Sequence, residues 1–219
     1  MNGERVEADP SLIVRLVLIA DVGAIGPRVI DEAIAVLAAV PPRSILLIER
    51  DKTGTDDRTR LTRLVRLRAA TRAAGCRLAV NTRVDLALAS EADGVHLPED
   101  GLDPMLVHAR FPGLRVGRSY HQALPDHGGA PRLPVDWALV GPIRAPHSKP
   151  LVGEALGFDG LARVIGHAPT PVYALGGMLP DDLAAAQRAG ATGLATIGGV
   201  FGTRAPERAA LEYLRRRPA

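Results

Sequence analysis

The sequence predicts an α/β fold, a single-domain (β/α)8 TIM barrel, and three observations carry that prediction. From residue 16 onward, short apolar runs alternate with segments of helical period, the mark of repeated βα units and a parallel sheet. Eight such runs occur, and none is followed by a Rossmann glycine fingerprint, so closure is favoured over an open doubly wound sheet. At 219 residues, with no low-complexity linker, the chain lies near the lower end of barrel sizes and suits one core.

The strand runs are residues 16–20, 44–49, 77–80, 94–97, 115–119, 137–140, 172–175 and 193–197. Each is short and mostly apolar, as a strand buried on both faces requires. Helices are expected at 28–39, 59–74, 84–89, 104–111, 157–165, 180–189 and 206–216. Pro104, Pro180 and Pro206 stand at or near first helical positions, where the missing N–H removes no hydrogen bond. Between the fifth and sixth runs, Pro125, Gly128, Gly129, Pro131 and Pro134 interrupt any helical pattern, so a loop is expected there. Residues 1–10 are expected to be a flexible terminus, and 11–219 the barrel.

Composition narrows the function classes. Aromatic residues make up only 3 % of the chain, so Ala, Leu, Val and Ile must fill the interior. The single cysteine, Cys76, cannot form an internal disulfide, and the acidic start lacks a secretory pattern, which leads us to expect a cytoplasmic protein. The early apolar stretch 12–20 is broken by Arg15, so no membrane span is expected. The net charge is +3, and the arginines are dispersed among acids without interleaved aromatics. That pattern argues against a nucleic-acid surface.

In a parallel barrel, residues just after the strands share one rim, and there the chemistry is expected. The rim positions include Arg50 and Lys52, Asn81, Ser119 and His121, and Lys149. Among 27 basic residues only Lys52 and Lys149 are lysine, and both fall on this rim, where a compact ammonium suits a phosphate or reacting oxygen. Gly176-Gly177 and Gly198-Gly199 follow the seventh and eighth runs, the usual place in barrels for a phosphate held on backbone N–H groups. His121 has a side chain suited to accept and donate a proton near neutral pH, though a histidine that only hydrogen-bonds substrate fits the spacing too. His96, inside the fourth run, reads as a wall residue, and no histidine pair has metal-ligand spacing with Cys or a carboxylate.

Several motifs, in order, resemble the thiamine phosphate synthase/TenI family over residues 16–203. They are Glu49-Arg50-Asp51-Lys52, the stretch from Asn81 to Ala89, Ala92-Asp93-Gly94-Val95-His96-Leu97, Gly117-Arg118-Ser119-Tyr120-His121, Val140-Gly141-Pro142-Ile143 with Ser148-Lys149-Pro150, and Ala174-Leu175-Gly176-Gly177-Met178. The resemblance implies a barrel enzyme of thiamine biosynthesis. It also implies, for the synthase branch, Mg²⁺ held by aspartates, and here the chain departs from the pattern. Thr82 stands where one aspartate is expected, Gly101 where the second is, and Ile48 where a glutamine opens the basic loop. Because Mg²⁺ is held by carboxylates together with substrate phosphates, these departures point toward the TenI branch. On that reading the chain is a metal-independent thiazole tautomerase with no cofactor, aromatising a carboxythiazole phosphate. His121 relays the proton, Ser119 and Asn81 position the ring or carboxylate, and Arg50, Lys52 and Lys149 balance charge. The glycine pairs hold the phosphate. The alternatives are a Mg-dependent thiamine phosphate synthase and a non-catalytic phosphate-binding paralogue. Expected partners are the thiazole phosphate and thiazole synthase, with a homo-oligomer left open.

Overall fold

Each of the apolar runs forms a strand in the computed structural model, which describes residues 14–121, 135–145, 155–166 and 170–215. The strands are β1 (Leu16–Asp21), β2 (Ile45–Arg50), β3 (Arg77–Asn81), β4 (Gly94–Leu97), β5 (Arg115–Tyr120), β6 (Trp137–Val140), β7 (Val172–Leu175) and β8 (Gly193–Thr196). All neighbours are parallel, and β1 pairs with both β2 and β8, closing the barrel in sequence order.

The helices of the described residues are α1 (Val22–Ile25), α2 (Val29–Ala39), α3 (Asp57–Ala73), α4 (Val84–Ala89), α5 (Pro104–Arg110), α6 (Gly157–Ile165), α7 (Leu183–Arg188), α8 (Gly198–Phe201) and α9 (Pro206–Arg215). A 3-10 turn at Pro180–Asp182 leads into α7. The short α1 and α8 are additions to the sequence expectation. Each has only 4 residues, too few to show a helical period. The proline-rich stretch between β5 and β6 and the expected flexible terminus lie outside the described residues.

Strand alternation divides the core in two. Val17, Ile19, Leu46, Ile48, Ala79, Trp137, Leu139, Tyr173 and Ala195 pack together inside the barrel, each on an inward position fixed by the register. The intervening residues, such as Leu18, Leu47, Val80 and Val116, face the helices and meet the buried stripes of α2 (Val29, Ile30, Ala33, Val36, Leu37) and α3 (Leu64, Leu67). At the lower end of the lumen the Tyr173 hydroxyl donates to the Val14 carbonyl at 3.0 Å, burial pushes that phenol well above its ordinary range, and a small cavity lies between Val14, Leu46, Trp137 and Tyr173. The C-terminal mouth is the end at which parallel barrels place their ligands.

Candidate active site

The inward register that packs Ile19, Ile48 and Ala79 in the lumen brings Asp21, Arg50 and Asn81 to the mouth, two residues further along each strand. Asp21 ends β1 almost fully buried and accepts from the Gly23 and Ala24 amides at 3.0 and 3.2 Å, starting α1. Its second oxygen pairs with the Arg50 guanidinium. Sequence reading named Arg50 but missed Asp21. An aspartate directly after the apolar run 16–20 was the available signal.

The remainder of the basic loop divides by function. Glu49 points away from the lumen and is fully buried under α3, held by Arg60 at 2.8–3.2 Å. Burial pushes its carboxyl above the ordinary value, with Arg60 pulling the other way. Burial also opposes ionisation of Asp51, but bonds from the Thr53 hydroxyl and amide and from the Thr55 hydroxyl outweigh it, so this carboxyl sits below its ordinary value. Arg63 pairs with Asp51 at 3.0 Å. Lys52 remains exposed at the tip.

At the end of β3, Asn81 is buried, and its amide donates to the Thr82 hydroxyl at 2.9 Å while its carbonyl accepts from Arg60 at 3.2 Å. Thr82 adopts φ 68°, a left-handed conformation unfavourable to a β-branched residue, and its amide is pinned by the His96 carbonyl at 2.8 Å. Across β4 and β5, His96 Nε2 lies 2.8 Å from Ser119 Oγ, and the Trp137 indole N–H donates to His96 Nδ1 at 3.2 Å. Burial drives the His96 imidazole down to about 3, so it is neutral. The wall position expected for His96 is where it stands, with a polar contact to Ser119 that the sequence did not reveal.

His121 sits just past β5, and its Nδ1 lies 2.7 Å from Glu99 Oε2 in the turn after β4. More than half of the His121 side chain is exposed. Gly176 and Gly177 adopt φ 98° and 62°, and a Cβ on Gly176 would fall 2.8 Å from Pro142 Cα. This pair is required by the packing of the loop after β6, whose Ile143 and Arg144 amides bond to the Leu175 and Gly176 carbonyls. Gly198 has open space around it, and a Cβ there would meet nothing within 4 Å, whereas a Cβ on Gly199 would fall 2.1 Å from the Tyr213 hydroxyl. Lys149 lies outside the described residues.

Arg50 and Asn81 thus end β2 and β3 on the inward face, Ser119 stands inward near the end of β5, His121 follows that strand, and the glycine pairs follow β7 and β8, above the lumen residues Ile19 and Ile48. Such a surface can orient a flat polar ring and accept anionic groups.

Comparison with known proteins gives this site its context. A family model described as thiamine monophosphate synthase matches residues 16–200. The thiamine-phosphate synthase of Chloroflexus aurantiacus is 34 % identical over 186 residues, covering 85 % of this chain and 84 % of that protein. That of Archaeoglobus fulgidus is 35 % identical over 152 residues, covering 68 % and 70 %. Among solved structures, thiamine phosphate pyrophosphorylase from Pyrococcus furiosus superposes with a TM-score of 0.77 over 94 % of this chain and 96 % of that one, at 22 % identity, a likeness of fold. These relatives correct the functional expectation: they are synthases, nothing in the comparisons points to a tautomerase, and the departures at Ile48, Thr82 and Gly101 do not make the chain an isomerase. By its sequence from the first strand to the last, the chain belongs to the thiamine monophosphate synthase family.

Proposed function

We propose that this chain is a thiamine-phosphate synthase, a transferase that joins a pyrimidine diphosphate to a thiazole phosphate. The carrying observation is 34 % and 35 % identity to two thiamine-phosphate synthases along most of both chains, with Arg50, Lys52 and ring-orienting polar groups at the strand ends. In the reaction, the bond between the pyrimidine methylene carbon and the diphosphate oxygen breaks, and diphosphate leaves with the electron pair. The thiazole nitrogen lone pair forms the new C–N bond. No proton moves at the reacting atoms, so His121 has no relay to perform. Its place beside Glu99 suits it to face the anionic end of a substrate. Arg50 and Lys52 balance phosphate charge, Asn81 and Ser119 orient a ring, and the Gly198 amide at the start of α8 faces a phosphate, the Gly199 amide being taken by the Thr196 hydroxyl at 3.2 Å. A cytoplasmic setting fits the same reading, and among the described residues no helix is long and apolar enough to cross a membrane.

The synthase resemblance implies Mg²⁺, and the described residues do not fit a cation held by protein carboxylates. Thr82 and Gly101 replace the expected aspartates. The rim carboxylates Asp21, Asp51 and Glu99 are engaged with Arg50, Arg63 and His121. Among the described residues no cluster of three His, Cys, Asp or Glu could hold a metal.

The test is direct. Purified protein is incubated with both substrates, with and without Mg²⁺, and thiamine phosphate and released diphosphate are measured in equal amounts if the proposal holds. Failure of coupling under both conditions, by a protein that still binds the thiazole phosphate, would refute it.

A further inference from the structure

We infer that Trp137, His96 and Ser119 form a directed hydrogen-bond chain that leaves the Ser119 hydroxyl proton for the substrate, so that the group meeting Ser119 is a hydrogen-bond acceptor. His96 and Trp137 are then positioning residues, and Ser119 is their point of contact with the ligand. The inference deepens the synthase reading and rests on it for the identity of the substrates.

The direction follows from the inventory of donors. An indole N–H can only donate, and Trp137 Nε1 donates to His96 Nδ1 at 3.2 Å. That nitrogen must be unprotonated, so the hydrogen of the neutral ring is on Nε2. Nε2–H then donates to Ser119 Oγ at 2.8 Å. Ser119 has one hydrogen of its own, and with Oγ already accepting from below, that hydrogen is free to turn toward the mouth. Protonating His96 would set an N–H against the indole N–H, and complete burial of the ring already opposes the charge.

The surroundings are shaped for this chain. The two rings lie nearly parallel, with centroids 6.1 Å apart and planes at 19°. Trp137 reaches His96 by lying across the inner face of β5 and β4, where the inward positions are both glycine. A Cβ on Gly117 would fall 2.0 Å from Trp137 Cε2, and one on Gly94 would fall 2.9 Å from Cη2. Any side chain at either place would lift the indole from its bed. Three strands therefore contribute to holding one imidazole in one tautomer. The acceptor on the substrate side is an aromatic ring nitrogen or a phosphate oxygen; each substrate carries both, so binding of inorganic diphosphate, which has no ring, to the unmodified protein and to Ser119→Ala separates the two sources.

Two measurements test the chain. Side-chain ¹⁵N spectra of the full protein should show His96 as the neutral Nε2–H tautomer, and Trp137→Phe, which keeps an aromatic ring but removes the donor, should produce a tautomer mixture. A His96 protonated at Nδ1 in the unmodified protein would overturn the inference. In binding assays with the pyrimidine diphosphate and the thiazole phosphate taken separately, Ser119→Ala should weaken one of them by about 2- to 10-fold, the worth of one hydrogen bond. Trp137→Phe should weaken that same ligand, and its effect should vanish in the Ser119→Ala background. Equal effects of Trp137→Phe in both backgrounds would refute coupling through Ser119. If the unmodified protein bound neither compound, the synthase reading and the ligand half of the inference would fall together, while the ¹⁵N result would still decide the direction of the chain.

Discussion

Replacing Arg60 with methionine is the sharpest test of what holds β2 and β3 beneath α3. The guanidinium makes contacts of 3.0, 3.2 and 2.8 Å with the Glu49 carboxylate and donates to the Asn81 carbonyl at 3.2 Å, all buried. At an effective dielectric of about 20, a charge pair about 4 Å apart is worth about 4 kcal/mol. Removing one member of such a buried pair costs about 3–5 kcal/mol, because the remaining charge is left in a low-dielectric interior. Arg60→Met should therefore lower unfolding free energy by about 3–4 kcal/mol near neutral pH. Urea unfolding followed by far-ultraviolet circular dichroism reads this loss. Burial already raises the Glu49 carboxyl in the folded state. A raised carboxyl favours the fold below the unfolded value of 4.5 and loses that contribution as pH rises through the folded value, so the loss in Arg60→Met should shrink on acidification. The double variant Glu49→Leu/Arg60→Met should recover most of the stability, since no isolated charge remains. A cost below about 1 kcal/mol for the single variant, or a double variant no better than the single, would refute the reasoning.

Two further outcomes follow from the site. His96 is held at about 3 in the fold against an ordinary 6.5, so the unfolded chain binds an extra proton between these values and stability falls as pH drops through that window. This group alone should account for about 2 kcal/mol by about pH 5, visible as a flatter acid limb in denaturation curves of His96→Gln; identical limbs would contradict the buried neutral ring. Gly198→Ala should keep the fold, since nothing lies near the added methyl, yet raise the KM for thiazole phosphate if the anion rests on this turn, whereas Gly199→Ala should cost about 1–3 kcal/mol in thermal unfolding by displacing the Tyr213 hydroxyl.

The strands were legible because a parallel barrel buries both faces of each, so Leu16 to Ala20 or Val172 to Leu175 had to read as unbroken apolar runs. The rim positions of Arg50, Asn81, Ser119 and His121 followed from the strand ends. Their partners did not. Asp21 reaches Arg50, Glu99 reaches His121, and Trp137 reaches the His96 that bonds Ser119, all from other βα units at sequence distances where no local spacing applies. Gly94 and Gly117 carried a sign of the bulky neighbour, but only pairing register reveals that their missing side chains face Trp137. The branch assignment failed for a different reason. Three departures at positions 48, 82 and 101 were weighed as loss of the metal and of the synthase reaction, while similarity to synthases extends through the whole barrel.

The indole laid over two glycines also sets limits on redesign. Positions 94, 117 and 137 share one volume, so widening the substrate mouth by trimming Trp137 alone opens a void beneath Ser119 at a cost of about 3–5 kcal/mol. Adding bulk at either glycine alone drives atoms into the ring. A library that varies 117 and 137 together, exchanging a smaller residue on β6 for a larger one on β5, explores sequences that stepwise mutation cannot reach, while Gly94 stays fixed because a Cβ there would lie 2.7 Å from the Arg115 carbonyl.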